Sequence, residues 1–319
     1  VSFKTAWERL KSAFERKRAG QFLVNSHNRR AYKIYIPARY RPQKAAPLLV
    51  MLHGCTQDPD DFARGTEMNV WAERHGCIVV YPEQPAGANP KKCWNWFSPT
   101  HQARDKGEPA AIVGLVEQLK RDYAINDQQV YVAGLSAGAC MAVILGATYP
   151  DIFAAVGACA GMEYKAATSA LGALTAMRWG GARRRIRDQR AAAPQRGVPL
   201  IVFHGAADNV VAAGNSDRLV AQWALMNNFT EEVSSRNTAP NSRVEHARQT
   251  EPGLHPYTEY RYKATDGKIV IKHYLVEGMG HCWPGGSSAG SYTDPSGPQA
   301  SRLMLEFFLN HRLDPAPQR

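Results

Sequence analysis

The pentapeptide Gly134-Leu135-Ser136-Ala137-Gly138 constrains this chain more than any other stretch. It reads G-x-S-x-G. The β-prone run Gln129-Val130-Tyr131-Val132-Ala133 precedes it, and the small, apolar segment from Ala139 to Ala147 follows. A strand, a sharp turn bearing Ser and a buried helix form a nucleophile elbow. The turn is strained, and side chains at 134 and 138 would collide with the adjoining strand and helix. The elbow lifts Ser136 Oγ above a sheet edge, beside a helix N-terminus whose free N–H groups favour developing negative charge.

A serine nucleophile requires a base, and the base an orienting acid, which in this type of fold follow the serine in the order acid, then histidine. Pro199-Leu200-Ile201-Val202-Phe203-His204-Gly205 is an apolar strand running into a turn that contains Asp208. Ile269 to Val276 is another strand, running into Glu277-Gly278-Met279-Gly280-His281-Cys282-Trp283-Pro284. Asp208 and His281 therefore each fall just past a strand's C-terminal end, where open α/β sheets place their sites. His204 and His53 read as scaffold histidines, His204 steadying the acid loop. His75, His246, His255 and His273 lack a comparable setting, and Asp217 reads as the solvated face of a helix.

Acyl transfer also needs donors for a tetrahedral oxyanion. The continuous apolar run Pro47 to Leu52 reads as a buried parallel strand, and it ends in His53-Gly54-Cys55-Thr56-Gln57. The backbone N–H groups of Cys55 and Ala137 are the expected donors. The aromatic tract at Trp94 and Trp96, and Trp283 beside the base, are either core plugs or a substrate platform.

The 319 residues carry 39 Lys and Arg against 28 Asp and Glu, a net charge of +11. Much of that charge lies in Arg16-Lys17-Arg18 and around Arg183-Arg184-Arg185, which read as solvated surface. No zinc-finger, helix-turn-helix or RNP-like pattern points to nucleic acid, and no apolar run is long enough to span a membrane. The chain reads as one domain over 1–319, with an amphipathic helix over 1–19 (Phe3, Trp7, Leu10 and Phe14 at helical spacing) and an insertion over 161–199 that is a candidate cap. It begins with Val, so a removed signal and a secreted or periplasmic location are expected rather than a cytoplasmic one. None of the six cysteines forms a C-x-x-C pair, so no metal is expected. Cys140 lies one helical turn after Ser136, and Cys282 directly follows His281. If that serine and histidine meet, a Cys140–Cys282 bridge becomes reachable. Cys55 with Cys93 is a second candidate pair, and buried thiols are the alternative.

Six segments together resemble the polyhydroxybutyrate-depolymerase-type esterases, which are related to the feruloyl and acetylxylan esterases of carbohydrate esterase family 1. They are Leu52-His53-Gly54-Cys55-Thr56-Gln57, Tyr81-Pro82-Glu83-Gln84, Cys93-Trp94-Asn95-Trp96-Phe97, the serine pentapeptide, Gly278-Met279-Gly280-His281 and Tyr292-Thr293-Asp294-Pro295. The resemblance runs from about Gly20 to Arg312. It implies an α/β-hydrolase fold, with a mostly parallel central sheet flanked by helices, and ester hydrolysis without a cofactor. It also implies Ser136 as nucleophile, Asp208 as acid, His281 as base and Cys55 as an oxyanion donor. Cysteines at 140 and 282 depart from that pattern, and both flank the expected catalytic pair. The expected substrate is a poly- or oligo-(3-hydroxyalkanoate) ester, with a feruloyl, acetylxylan or other aryl ester as the alternative. A peptidase, or a non-catalytic binding module on the same scaffold, is the more distant reading. Oligomeric state is left open.

Overall fold

A computed structural model describes residues 20–181, 197–227, 244–264 and 266–314. The expected helix over 1–19, both arginine-rich runs and the middle of the 161–199 insertion lie outside the described residues.

The described strands form one ten-stranded sheet in the order β1-β2-β4-β3-β5-β6-β7-β10-β9-β8. The strands are β1 (Gln21–His27), β2 (Arg30–Ile36), β3 (Ala46–Leu52), β4 (Ile78–Pro82), β5 (Ile125–Leu135), β6 (Ala155–Cys159), β7 (Leu200–Gly205), β8 (Val244–Gln249), β9 (Tyr257–Lys263) and β10 (Ile269–Val276). The central strands β4, β3, β5, β6, β7 and β10 are all parallel. Antiparallel pairs close both edges, β1–β2–β4 on one side and β10–β9–β8 on the other. The parallel strands read as unbroken apolar runs because helices cover both of their faces: β3, β4, β6 and β7 are buried almost throughout. This is the α/β-hydrolase arrangement expected from the sequence.

The helices are α1 (Pro59–Thr66), α2 (Met68–His75), α3 (Gly107–Asp122), α4 (Ala137–Thr148), α5 (Ala170–Trp179), α6 (Gly214–Met226) and α7 (Ala300–Leu309). Helix α4 is apolar on all sides and buried over most of its length, as a helix wedged between sheet and neighbouring helices must be. Helix α5 is the described part of the expected cap. Its Met177 carbonyl accepts from Ala212 N at 2.8 Å and from Asn215 Nδ2 at 3.0 Å, which docks the helix end on the loop after β7. Its last residue, Trp179, is 74% exposed. Among the described residues no helix is long and apolar enough to cross a membrane.

Candidate active site

The turn between β5 and α4 places Ser136 at φ 57° and ψ −118°, a conformation that non-glycine residues adopt only under constraint. Two contacts impose it. Ser136 N donates to the Cys159 carbonyl at the end of β6, at 2.9 Å. Gly138 lies so close to the loop after β3 that a methyl group there would sit 2.0 Å from the Leu52 carbonyl oxygen and 2.6 Å from that of His53. Only glycine lets the first turn of α4 and the Cys55 loop approach this closely. Ala137 N–H, in the first turn of α4, has no partner within the helix.

Histidine 281 reaches the serine from the loop after β10. Its Nε2 is 2.9 Å from Ser136 Oγ, and its Nδ1 is 2.7 Å from Asp208 Oδ2. An ionised carboxylate only accepts, so Nδ1 donates to Asp208 and Nε2 accepts from the serine hydroxyl. Asp208 Oδ1 in turn accepts from the N–H groups of Val210 and Val211, each at 2.9 Å. Burial alone would raise the Asp208 carboxyl. The hydrogen bonds from His204 and His281, the charge of His281 and the Val211 N–H outweigh it and hold the group well below the ordinary carboxylate range. The three residues expected from the sequence are thus brought into one hydrogen-bonded series.

The Asp208 and His281 loops are continuations of two paired parallel strands. Ala206 N donates to the Val276 carbonyl at 2.8 Å, and Ala207 N to that of Met279 at 3.0 Å. Gly205 permits this: a methyl group there would meet the Gly280 and Met279 carbonyl oxygens, both at 2.3 Å.

On the other side of the serine, the Cys55 loop is tied covalently: Cys55 and Cys93 form a disulfide. His53 is buried beneath it, donating Nδ1–H to the Gly54 carbonyl at 2.8 Å and accepting from Gln84 N at 3.1 Å. Burial pushes its pKa down to about 4, against smaller opposing effects such as the Gly54 hydrogen bond. It is a neutral, hydrogen-bonded scaffold histidine. Gln57 Oε1 accepts from Gly54 N at 2.9 Å and Gln57 Nε2 donates to the Ser291 carbonyl at 3.0 Å. The buried Glu108 carboxylate accepts from Gln84 Nε2, Asn95 N and Asn95 Nδ2 at 2.6, 2.8 and 2.7 Å. Gln57 and Gln84 close two of the segments that carry the resemblance, but nothing in the sequence marks Glu108, because an isolated polar residue at a helix start ordinarily reads as solvated.

Two expectations need correction. Cys140 and Cys282 are free thiols, as are Cys77 and Cys159. Cys140 points into the core shared with Met162 and Tyr164 on one face of the sheet. Cys282 lies over the end of β6, where its carbonyl accepts from Cys159 Sγ at 3.3 Å. One helical turn places Cys140 near Ser136 in distance and away from Cys282 in direction. The tryptophans are core plugs: Trp94, Trp96 and Trp283 are 1%, 6% and 0% exposed. Trp94 packs against the His53 ring. Trp283 meets Phe62 edge-on and donates Nε1–H to Ser301 Oγ at 3.2 Å. They pin the two loops rather than offer a ring to solvent. Among the described residues no cluster of His, Cys, Asp and Glu could hold a metal.

Residues 30–247 match the family described as esterase PHB depolymerase. The chain belongs to this family. A poly(3-hydroxyalkanoate) depolymerase C of Paucimonas lemoignei is 34% identical over 252 residues, 75% of this chain and 55% of that protein. A poly(3-hydroxybutyrate) depolymerase of Ralstonia pickettii is 28% identical, over 91% of this chain and 59% of its own length. The chain therefore spans little more than half the length of these two depolymerase-family relatives. Feruloyl esterase B of Neurospora crassa is 29% identical over 82% of this chain and 85% of its own. An acetyl xylan esterase from Aspergillus awamori shares the fold, with a TM-score of 0.67 at 20% identity, over 82% of this chain and 94% of its own.

Proposed function

We propose that this member of the PHB depolymerase family is a serine carboxylic-ester hydrolase. The reading rests on the hydrogen-bonded series from Ser136 Oγ through His281 to Asp208 Oδ2. Ser136 Oγ attacks the ester carbonyl while His281 Nε2 takes its proton. The N–H groups of Cys55 and Ala137 hold the oxyanion. His281 then protonates the departing alcohol, and Asp208 supports the imidazolium through Nδ1–H. Water, giving its proton to His281, attacks the acyl-enzyme, and the acid leaves as Ser136 recovers its proton.

The substrate is an oligo- or poly-(3-hydroxyalkanoate). Its support is the 34% identity to the Paucimonas lemoignei protein, together with the burial of the three tryptophans that an aryl platform would need exposed. The Cys55–Cys93 disulfide fits action in an oxidising compartment outside the cytosol.

Hydrolysis of p-nitrophenyl butyrate, hydroxybutyrate oligomers and methyl ferulate by wild type and Ser136→Ala tests this. The wild type should turn over the oligomers, and the variant should lose about 10⁴-fold or more in kcat. Turnover of ferulate without oligomers would make it an aryl esterase. Undiminished activity in Ser136→Ala would remove Ser136 as nucleophile.

A further inference from the structure

Asp208 receives one contact that the series from Ser136 does not use. His204, fully buried near the end of β7, places Nε2 2.8 Å from the Val211 carbonyl oxygen and 3.3 Å from Asp208 Oδ2. Both neighbours are acceptors, so Nε2 must carry the proton. The other ring nitrogen, Nδ1, is buried with no hydrogen-bond partner. The contacts that His204 makes are therefore those of Nε2–H. A buried ring nitrogen without a partner is destabilising, so what His204 offers the fold is its Nε2–H.

Asp208 Oδ1 is held by the N–H groups of Val210 and Val211. Those bonds fix one oxygen, and the direction of Oδ2 depends on the two rings beside it, His281 and His204. Val211 is gripped at both ends: its N–H bonds to Asp208 Oδ1, and its carbonyl receives His204 Nε2–H. His204 thereby closes the turn 208–211 onto its own strand and stands 3.3 Å from Oδ2, the oxygen that also receives His281 Nδ1–H. It also sits opposite Leu275 of β10, the strand that leads to the base.

We propose that His204 is a positioning residue of the esterase, its Nε2–H shared between Val211 and Asp208 so that Oδ2 faces His281 Nδ1. The proposal rests on Asp208 being the catalytic acid. His204 does not touch substrate and acts through Asp208 alone. The carboxylate then has donors on both oxygens, and His281 keeps one tautomer and one orientation through both halves of the reaction.

Steady-state kinetics of three variants on p-nitrophenyl butyrate, with thermal melts of each, test this. His204→Gln keeps a donor where Nε2 stands, His204→Asn keeps one only where Nδ1 stands, and His204→Leu keeps neither. The expected result is a kcat lowered about 10- to 100-fold in the Asn and Leu variants with KM within about twofold, and a kcat within about threefold of wild type for Gln. Equal losses in all three, following the melting temperatures, would overturn the proposal and leave His204 as packing only. So would unchanged kcat in the Leu variant. Asp208→Asn in parallel separates the two levels. If it keeps wild-type kcat, the assignment of the acid has failed. If it loses activity while His204→Leu does not, only the positioning role has failed.

Discussion

The loop that carries Cys55 and the loop that carries His281 flank the same serine, yet one is bonded covalently and the other is held by packing and backbone hydrogen bonds. The difference follows from what each loop continues. The acid and base loops extend β7 and β10, which are already paired in parallel, so their backbones go on exchanging hydrogen bonds past the sheet edge. The Cys55 loop faces residues 83–106, a long connection whose only regular element is the short 3₁₀ turn Pro99–His101. A segment of that length has no ladder of its own and needs other restraints. It has the Cys55–Cys93 disulfide, the buried Glu108 carboxylate and the packed Trp94. A site of this type can thus hold one side by cross-linking a loop and the other by prolonging a sheet.

Removing the cross-link is the strongest way to break the contrast. Cys93→Ser opens a loop whose ends are 38 residues apart, which by loop entropy should lower stability by about 4 kcal/mol in chemical denaturation. Cys282→Ala, on the side without a bridge, should lower it by about 1 kcal/mol or less. Equal losses would mean that the two sides are held alike.

The sheet-prolonging side should fail by a different route. Gly205→Ala drives a methyl group against the Gly280 and Met279 carbonyls. The acid and base loops must part, and kcat should fall about 10²-fold in a folded enzyme. Gly214→Ala, with open space around the added carbon, serves as the control and should leave kcat unchanged.

Acid sharpens the comparison most gently. Burial lowers His53, under the Cys55 loop, to about 4. His273, on β10, is lowered to about 3 by burial first and then by His204. Both are depressed below an unfolded value of about 6.5, so between those limits the unfolded chain binds more protons. Stability is full above about pH 6.5 and is lost as pH falls, by about 1.4 kcal/mol per pH unit for each histidine. The His53 contribution should level off near pH 4 and that of His273 near pH 3. Below about pH 4.5, Glu259 adds to the loss: burial would raise it, but Arg261, Tyr274 and Lys272 hold it at about 2. Melting temperatures from pH 8 to pH 3 follow this, and a flat profile between pH 6.5 and 5 would show that these histidines protonate without cost to the fold.

Several parts of the site were legible before any coordinates. Ser136 stands between a β-prone run and a small apolar helix, so the elbow is written in contiguous residues. Asp208 and His281 each follow an apolar run long enough to be a strand, and strand ends are where a parallel sheet exposes side chains. Of the two candidate cysteine pairs, Cys55–Cys93 forms and Cys140–Cys282 does not, because a bridge depends on the direction of two Cβ atoms: spacing brings Cys140 close to Ser136, while the helix turns its sulfur into the core. The role of the tryptophans was not legible. An indole serves equally as core or as platform, and only the packing of Phe62 and Ser301 around Trp283, or of His53 against Trp94, decides between them.

The sequence by itself determined the apolar strands that lead into the Cys55, Ser136, Asp208 and His281 loops, the strained serine turn, and the candidates for acid and base. Each of these depends on local propensity or on periodicity along the chain. Only the tertiary structure decided that Cys55 bonds to Cys93, that three tryptophans pin loops from within, and that His204 closes a turn onto Asp208. Those are meetings of distant residues, and their outcome is set by direction and distance in the packed molecule, which spacing along the chain does not encode.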